Sequence, residues 1–193
     1  MLNLSLKEME AREFAMLRHG DQKYGDFPYI YHLDKVNQIA TTYNLPMIVR
    51  IGSFLHDILE DTPTSYEEIL ELFGKEVAEI VLLVTDKPGK TRVERKKKTY
   101  PFIKTNVWAT ALKLCDRIAN VTQCLQHDPS NLYGRYYQEY EFFRKELYSQ
   151  EYSKELEVLW EELDRLLLWS KSDTHPRPTD FLKNPLIIKR NNK

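Results

Sequence analysis

Three polar groups stand in otherwise apolar stretches of this 193-residue chain, and their side chains are of types that bind metal ions and move protons. The densest is His56-Asp57-Ile58-Leu59-Glu60-Asp61. Helical spacing would place His56 one turn below Glu60 and Asp57 one turn below Asp61, so that an imidazole and paired carboxylates point into or beside the core. The second is His32, which follows Pro28-Tyr29-Ile30-Tyr31. The third is Asp116, flanked by Leu112, Ile118 and Ala119 with Asn120 one turn on. A carboxylate on such a face needs a partner, because burying it unpaired is expensive. Arg117 points elsewhere around the helix, and a metal ion would serve. Two imidazoles and two carboxylates form a mixed nitrogen and oxygen set suited to Mn²⁺, Fe²⁺ or Zn²⁺, and with water completing the shell the set suits hydrolysis. Each group also has a plainer reading: the His-Asp run as a solvated helix end, and His32 as a satisfied surface or core residue. Gly52, one turn before His56, either leaves room for an ion or substrate or permits close helix packing.

The elements that must position these residues read as helices. Leu6 to His19 carries Met9, Phe14, Ala15 and Leu17 at roughly helical spacing, with Gly20 as its stop. Asp21 to Pro28 reads as a loop, and a second helix runs from Ile30 to about Tyr43. Pro46 starts a third, whose stripe of Ile48, Ile51, Leu55 and Ile58 continues to Glu60. Ser65 with Glu67 and Glu68 opens a short helix ending at Gly74, and Lys75 to Thr85 forms another, followed by a loop over Asp86 to Lys90. From Ile103 to Leu125 the apolar residues step by three and four, the clearest helical period in the chain. Asn131 to Tyr148 and Glu151 to Trp169 read as two further amphipathic helices. The expected organisation is one all-α domain over residues 1–169 and an extended tail over 170–193 that holds Pro176, Pro178 and Pro185.

Composition narrows the class of function. With 42% hydrophobic residues and 8 Phe, 12 Tyr and 3 Trp the chain can build a core, and only 6 Gly argues against a turn-rich β-fold. A net charge of -1 is not that of a nucleic-acid-binding protein, so any polyanion site must be local. Cys115 and Cys124 lie nine residues apart on one expected helix, too far to bridge, and fit buried thiols of a reducing compartment. The charged N-terminus and the lack of any long apolar run point to a cytoplasmic protein that neither enters nor crosses a membrane. A homo-oligomer stays open.

The order His32, His56-Asp57, Asp116 resembles the metal-ligand order of HD-domain phosphohydrolases. More narrowly, Phe14-Ala15, His19, Gln22, Pro28-Tyr29-Ile30 and His32, then Phe54 to Thr62, Phe73-Gly74, Val84-Thr85-Asp86, Glu94-Arg95-Lys96 and Leu112 to Asn120 are similar to the hydrolase domain of RelA/SpoT-type alarmone enzymes, over residues 10 to 145. The resemblance implies a compact helical bundle. It also implies Mn²⁺-dependent removal of the 3′-pyrophosphate from guanosine tetra- or pentaphosphate (ppGpp, pppGpp), which lowers the stringent-response alarmone. By the same resemblance His32, His56, Asp57 and Asp116 match the metal ligands, and Glu60 and Asp61 match the acid pair that orients or deprotonates water. Asn120 matches a nucleotide contact, Tyr140 an aromatic nucleotide contact and Lys96 a phosphate contact. With no phosphate-binding glycine loop and no room for a synthetase domain, the chain resembles the small hydrolase-only members.

Two departures bear on the substrate. The family commonly has Arg or Arg-Lys just after His-x-x-Gln, whereas this chain has Lys23-Tyr24-Gly25, leaving Lys23 as the basic contact there. Val121-Thr122-Gln123 follows Asn120 where an Arg often stands. An HD-type hydrolase of another nucleotide or of a phosphorylated dinucleotide cofactor is the first rival reading, and a catalytically idle alarmone-binding module the second. Residues 87–98 carry a net charge of +6 and residues 57–79 a net charge of -7. The basic run is either a solvated face or the counter-charge that draws a polyphosphate to an acidic metal site.

Overall fold

Ser5 accepts a hydrogen bond from the Glu8 amide and Glu8 accepts one from the Ser5 amide, a reciprocal cap that starts α1 (Leu6–His19). In the computed structural model, which describes residues 4–127 and 132–168, α1 is followed by a small hairpin rather than an irregular loop. Strands β1 (Lys23–Tyr24) and β2 (Phe27–Pro28) pair antiparallel across Gly25-Asp26, and Gly25 takes the φ of +60° that a two-residue turn requires. Strands this short leave no alternating pattern to read in the sequence.

Helix α2 (Ile30–Thr42) leads through Pro46 to α3 (Met47–Leu55). The third helix does not run on to Glu60. It breaks at His56-Asp57 and resumes as the single turn α4 (Ile58–Asp61). The apolar stripe is continuous across the break because Phe54, Leu55 and Ile58 are all wholly buried, which made one helix the natural expectation. Those anchors hold the turn that presents the His-Asp pair, and truncating a buried Phe of this kind costs about 3–5 kcal/mol. Gly52 packs against the core. A Cβ there would stand 2.9 Å from Ile80 Cδ1 and 3.2 Å from Leu112 Cδ2, so the glycine serves close helix contact and leaves no room for an ion.

Helices α5 (Tyr66–Phe73) and α6 (Lys75–Val84) follow, the first with a Ser65–Glu68 capping box. The basic segment is itself helical: α7 (Arg92–Ile103) starts at Thr91, whose hydroxyl accepts from the Glu94 amide. Its many charges and internal Pro101 hide it from an apolar-period reading. Ile103 closes α7 instead of opening the next helix. Asn106 accepts from the Trp108 and Ala109 amides to start α8 (Val107–His127). A π-helical segment, Leu132–Tyr137, precedes α9 (Gln138–Leu147), and a 3₁₀ turn, Gln150–Tyr152, precedes α10 (Ser153–Leu168).

Helix α8 is the axis of the bundle, buried on nearly every side and packed by α2, α3, α6, α7 and α10. One apolar cluster joins α8 to α10, α9 and α7 through Leu114, Ile118, Phe143 and Trp160. A second joins α1, α3, α5 and α6 through Ala15, Phe54, Ile69 and Val81. Cys115 and Cys124 are both buried and unbridged. No helix among the described residues is long and apolar enough to cross a membrane. Trp169 and the 170–193 tail lie outside the described residues.

Candidate active site

The break at His56-Asp57 turns both side chains toward α2 and α8, where His32 and Asp116 meet them. His56 Nε2 lies 3.0 Å from Asp57 Oδ2, 3.4 Å from His32 Nε2 and 3.8 Å from Asp116 Oδ1. His32 Nε2 lies 3.4 Å from Asp116 Oδ1 and 3.9 Å from Asp57 Oδ2. His32, His56 and Asp57 each bring a ligand atom within 4.8 Å of the others, a grouping that could hold one divalent cation, and Asp116 Oδ1 flanks it on the His32 side. The sequence is brought together as expected here, by four residues from three segments.

The surroundings prepare these donors. His56 Nδ1 donates to the Ser53 carbonyl at 2.9 Å, which aims Nε2 at the cluster. Tyr29 donates its hydroxyl to Asp57 Oδ2 and stacks on His19. Asp116 accepts from Lys113 Nζ at 2.8 Å on Oδ2 and from the Asn120 amide on Oδ1. Lys113 is thus a partner for Asp116 that the sequence reading missed, although three residues along a helix bring two side chains to one face. Burial opposes charge on all these groups, and their mutual attraction overcomes it. His56 is lifted to about 9 chiefly by Asp57, while the Asp57 and Asp116 carboxyls are held well below their usual range, Asp57 by His56 and Asp116 by Lys113. The centre favours a positive charge, which is what a divalent cation supplies.

A pocket of about 220 Å³ opens over the cluster. Tyr24, Tyr29 and Tyr136 line it together with Glu60, Asp86, Arg92, Arg95, Lys96, Lys113, Arg117 and Asn120. The expected site residues divide. Glu60 lies in the pocket and accepts the Asp86 amide at 2.6 Å; loss of water around its carboxyl pushes its pKa up. Asp61 is exposed at the rim and accepts from Gln22 Nε2 at 2.8 Å, and it does not line the pocket. Lys96 lines it, buried, with Nζ 2.9 Å from both Asp86 oxygens. Asn120 lines it and accepts from the Tyr24 hydroxyl at 2.7 Å.

Two of the expected contacts do not line the pocket. Lys23 is exposed and points away, since successive residues of a strand face opposite sides and Tyr24 takes the inward one, stacked on His32 with centroids 4.7 Å apart. Tyr140 packs against the core, its hydroxyl accepting from Arg144 at 3.0 Å. The π-helical segment instead turns Tyr136, one turn earlier, into the pocket, where its ring lies 4.9 Å from the Arg117 guanidinium. Glu139 ties this wall together, 2.7 Å from Arg92 Nε and 3.0 Å from Arg117 Nη1.

No protein-family model matches the chain. The chain is 30% identical over 132 residues to the guanosine-3′,5′-bis(diphosphate) 3′-pyrophosphohydrolase MESH1 of Drosophila melanogaster, covering 65% of this chain and 74% of that one. It is 41% identical over 120 residues to the guanosine-3′,5′-bis(diphosphate) 3′-pyrophosphohydrolase of Aquifex aeolicus, over 58% of this chain but only 17% of that longer protein. Among solved structures it is similar to a metazoan ortholog of SpoT that hydrolyses ppGpp, with a TM-score of 0.68 at 24% identity over 89% of this chain and 99% of that one. That likeness bears on the fold.

Proposed function

Since the chain belongs to the guanosine-3′,5′-bis(diphosphate) 3′-pyrophosphohydrolase family, we propose that it hydrolyses guanosine tetra- and pentaphosphate to GDP or GTP and pyrophosphate, with Mn²⁺ as its ion. The observation that carries this reading is the meeting of His32, His56 and Asp57, with Asp116 3.4 Å from His32, beneath a pocket lined by Arg92, Arg95 and Lys96. His32, His56, Asp57 and Asp116 would hold the cation, which when bound supplies Lewis acidity to water and to a phosphoryl oxygen.

The other work belongs to the chain's own groups. Water attacks the phosphorus attached to the 3′ oxygen, the bond between them breaks, and the departing oxygen takes up a proton. Glu60 is the group placed to carry that proton from water to the leaving oxygen: it lies in the pocket, and its raised pKa brings it closer to neutrality. Asp61, bonded to Gln22 beside Glu60, would act on the water only indirectly. Arg92, Arg95 and Lys96 hold the phosphates that the acidic floor would otherwise repel, and Asn120 and Tyr24 contact the nucleoside.

The test is a substrate panel with Mn²⁺ present: ppGpp, pppGpp, simple nucleotides and phosphorylated dinucleotide cofactors, with products identified. Release of pyrophosphate and GDP from ppGpp is expected. Tyr24 stands where the family commonly has a basic residue, and preferential turnover of a dinucleotide cofactor would transfer the same site to that substrate class. Binding of ppGpp without turnover of any panel member would reduce the chain to a binding module.

A further inference from the structure

Glu60 and Lys96 both line the pocket, and one residue of the loop between α6 and α7 touches both. Asp86 donates its backbone N–H to Glu60 Oε1 at 2.6 Å. Its carboxylate, only 8% exposed, accepts from Lys96 Nζ at 2.9 Å on each oxygen and lies 3.5 Å from Arg95 Nε. The next amide, that of Lys87, donates to Thr99 Oγ1 at 2.8 Å, and the Thr99 hydroxyl donates to the Arg95 carbonyl at 2.8 Å. The loop is therefore fastened to α7 on one side and to the acid of α4 on the other.

Resting on the reading of Lys96 as a phosphate contact, we propose that Asp86 is a positioning residue that fixes two pocket groups relative to each other, its carboxylate holding the Lys96 ammonium while its amide holds Glu60. A lysine in this place needs such a tie. Lys96 is buried, and it shares the pocket with Lys113 from α8, Arg92 and Arg95 from its own helix, and Glu60 from α4, with Asp86 the carboxylate in direct contact. Burial first, and then Lys113, bring its pKa down to about 8 even with Asp86 present. Without that carboxylate the ammonium would stand among cations in a poorly solvated wall, lose its proton nearer neutrality and lose its aim. Phosphate affinity would then weaken as pH rises, while Glu60 would keep its amide, because an Asn at position 86 leaves the backbone unchanged.

The variants are Asp86→Asn, Lys96→Ala, the double variant and the charge-conserving Asp86→Glu. Two quantities are read in each folded protein: the Lys96 titration by ¹⁵N-lysine NMR and pyrophosphate binding by calorimetry at pH 6.5 and 8. Asp86→Asn is expected to move the Lys96 titration below 8 and to weaken pyrophosphate binding about tenfold at pH 8 and less at pH 6.5, with Asp86→Glu restoring much of both. On top of Lys96→Ala it should cost nothing further. An unchanged Lys96 titration, tighter pyrophosphate binding in Asp86→Asn, or an equal loss in the Lys96→Ala background would each overturn the proposal. The NMR measurement needs no turnover, so a wild type that fails to hydrolyse ppGpp refutes the proposed function while the Asp86–Lys96 tie is still read.

Discussion

The two walls of the pocket solve the problem of buried charge in opposite ways. On the floor, His32, His56 and Asp57 gather their donor atoms and Asp116 stands beside His32, the four coming from three segments. On the basic wall the cations are instead tied in twos to a carboxylate: Arg92 and Arg117 share Glu139, and Lys96 shares Asp86 with Arg95. Convergence leaves a demand for an added cation. Pairing holds cations in place and at low net charge until a stronger anion arrives. A further contrast is with the groove between α1 and α2, which at about 790 Å³ is larger than the pocket but is lined by Met9, Met16 and an Arg12–Asp34 ion pair, with no converging donors. Volume alone does not locate chemistry.

If the floor is a metal site, its single substitutions should have the largest effects. His56→Ala or Asp57→Ala is expected to remove bound metal and to lower turnover on the order of 10³-fold or more, corresponding to about 4 kcal/mol of lost transition-state stabilisation. Elemental analysis beside a turnover assay checks it, and full metal content in either variant would break the contrast between the walls. Glu60→Gln should keep the metal while kcat falls by roughly 10²- to 10⁴-fold, as for a general acid-base group. Asp61→Asn, at the rim, should cost less, and equal losses would mean the two acids act as one unit.

Tyr29→Phe removes the hydroxyl that holds Asp57 and should weaken metal affinity by about 10- to 100-fold with little change in fold, measured by competition with a chelating dye. On the paired wall the effects should be smaller and of another kind: Arg92→Ala should raise KM about tenfold, leave kcat nearly unchanged and lessen the salt dependence of KM. The smallest effect is expected at the groove, where Arg12→Ala should leave turnover unchanged and cost less than about 1 kcal/mol in thermal unfolding.

The floor was largely legible in the sequence, and the basic wall was not. His, His-Asp and Asp on apolar helices stand out because polar groups on buried faces need a reason, and α1, α2, α5 and α6 follow from caps and apolar steps. Helix α7 went unread because its first two turns direct only Lys96 and Thr99 inward, held by partners on the preceding loop, and its apolar buried residues, Tyr100 and Ile103, come only at its end. The break at His56-Asp57 was hidden by an apolar stripe that continues through it. Tyr136 was displaced by one turn in favour of Tyr140, since a π-helical segment alters register without leaving a compositional mark. Lys23 lies outside the pocket because in a two-residue strand Tyr24 takes the inward side.

The central claim is that four converging side chains hold one divalent cation on which ppGpp hydrolysis depends. Titration of metal-free protein with Mn²⁺, following bound ion and ppGpp turnover on the same samples, tests it most directly. Turnover rising in step with binding and levelling at one ion per chain, with neither seen in Asp116→Ala, is the result predicted. Full turnover in chelator-treated protein that holds no metal, or undiminished metal binding in Asp116→Ala, would contradict it.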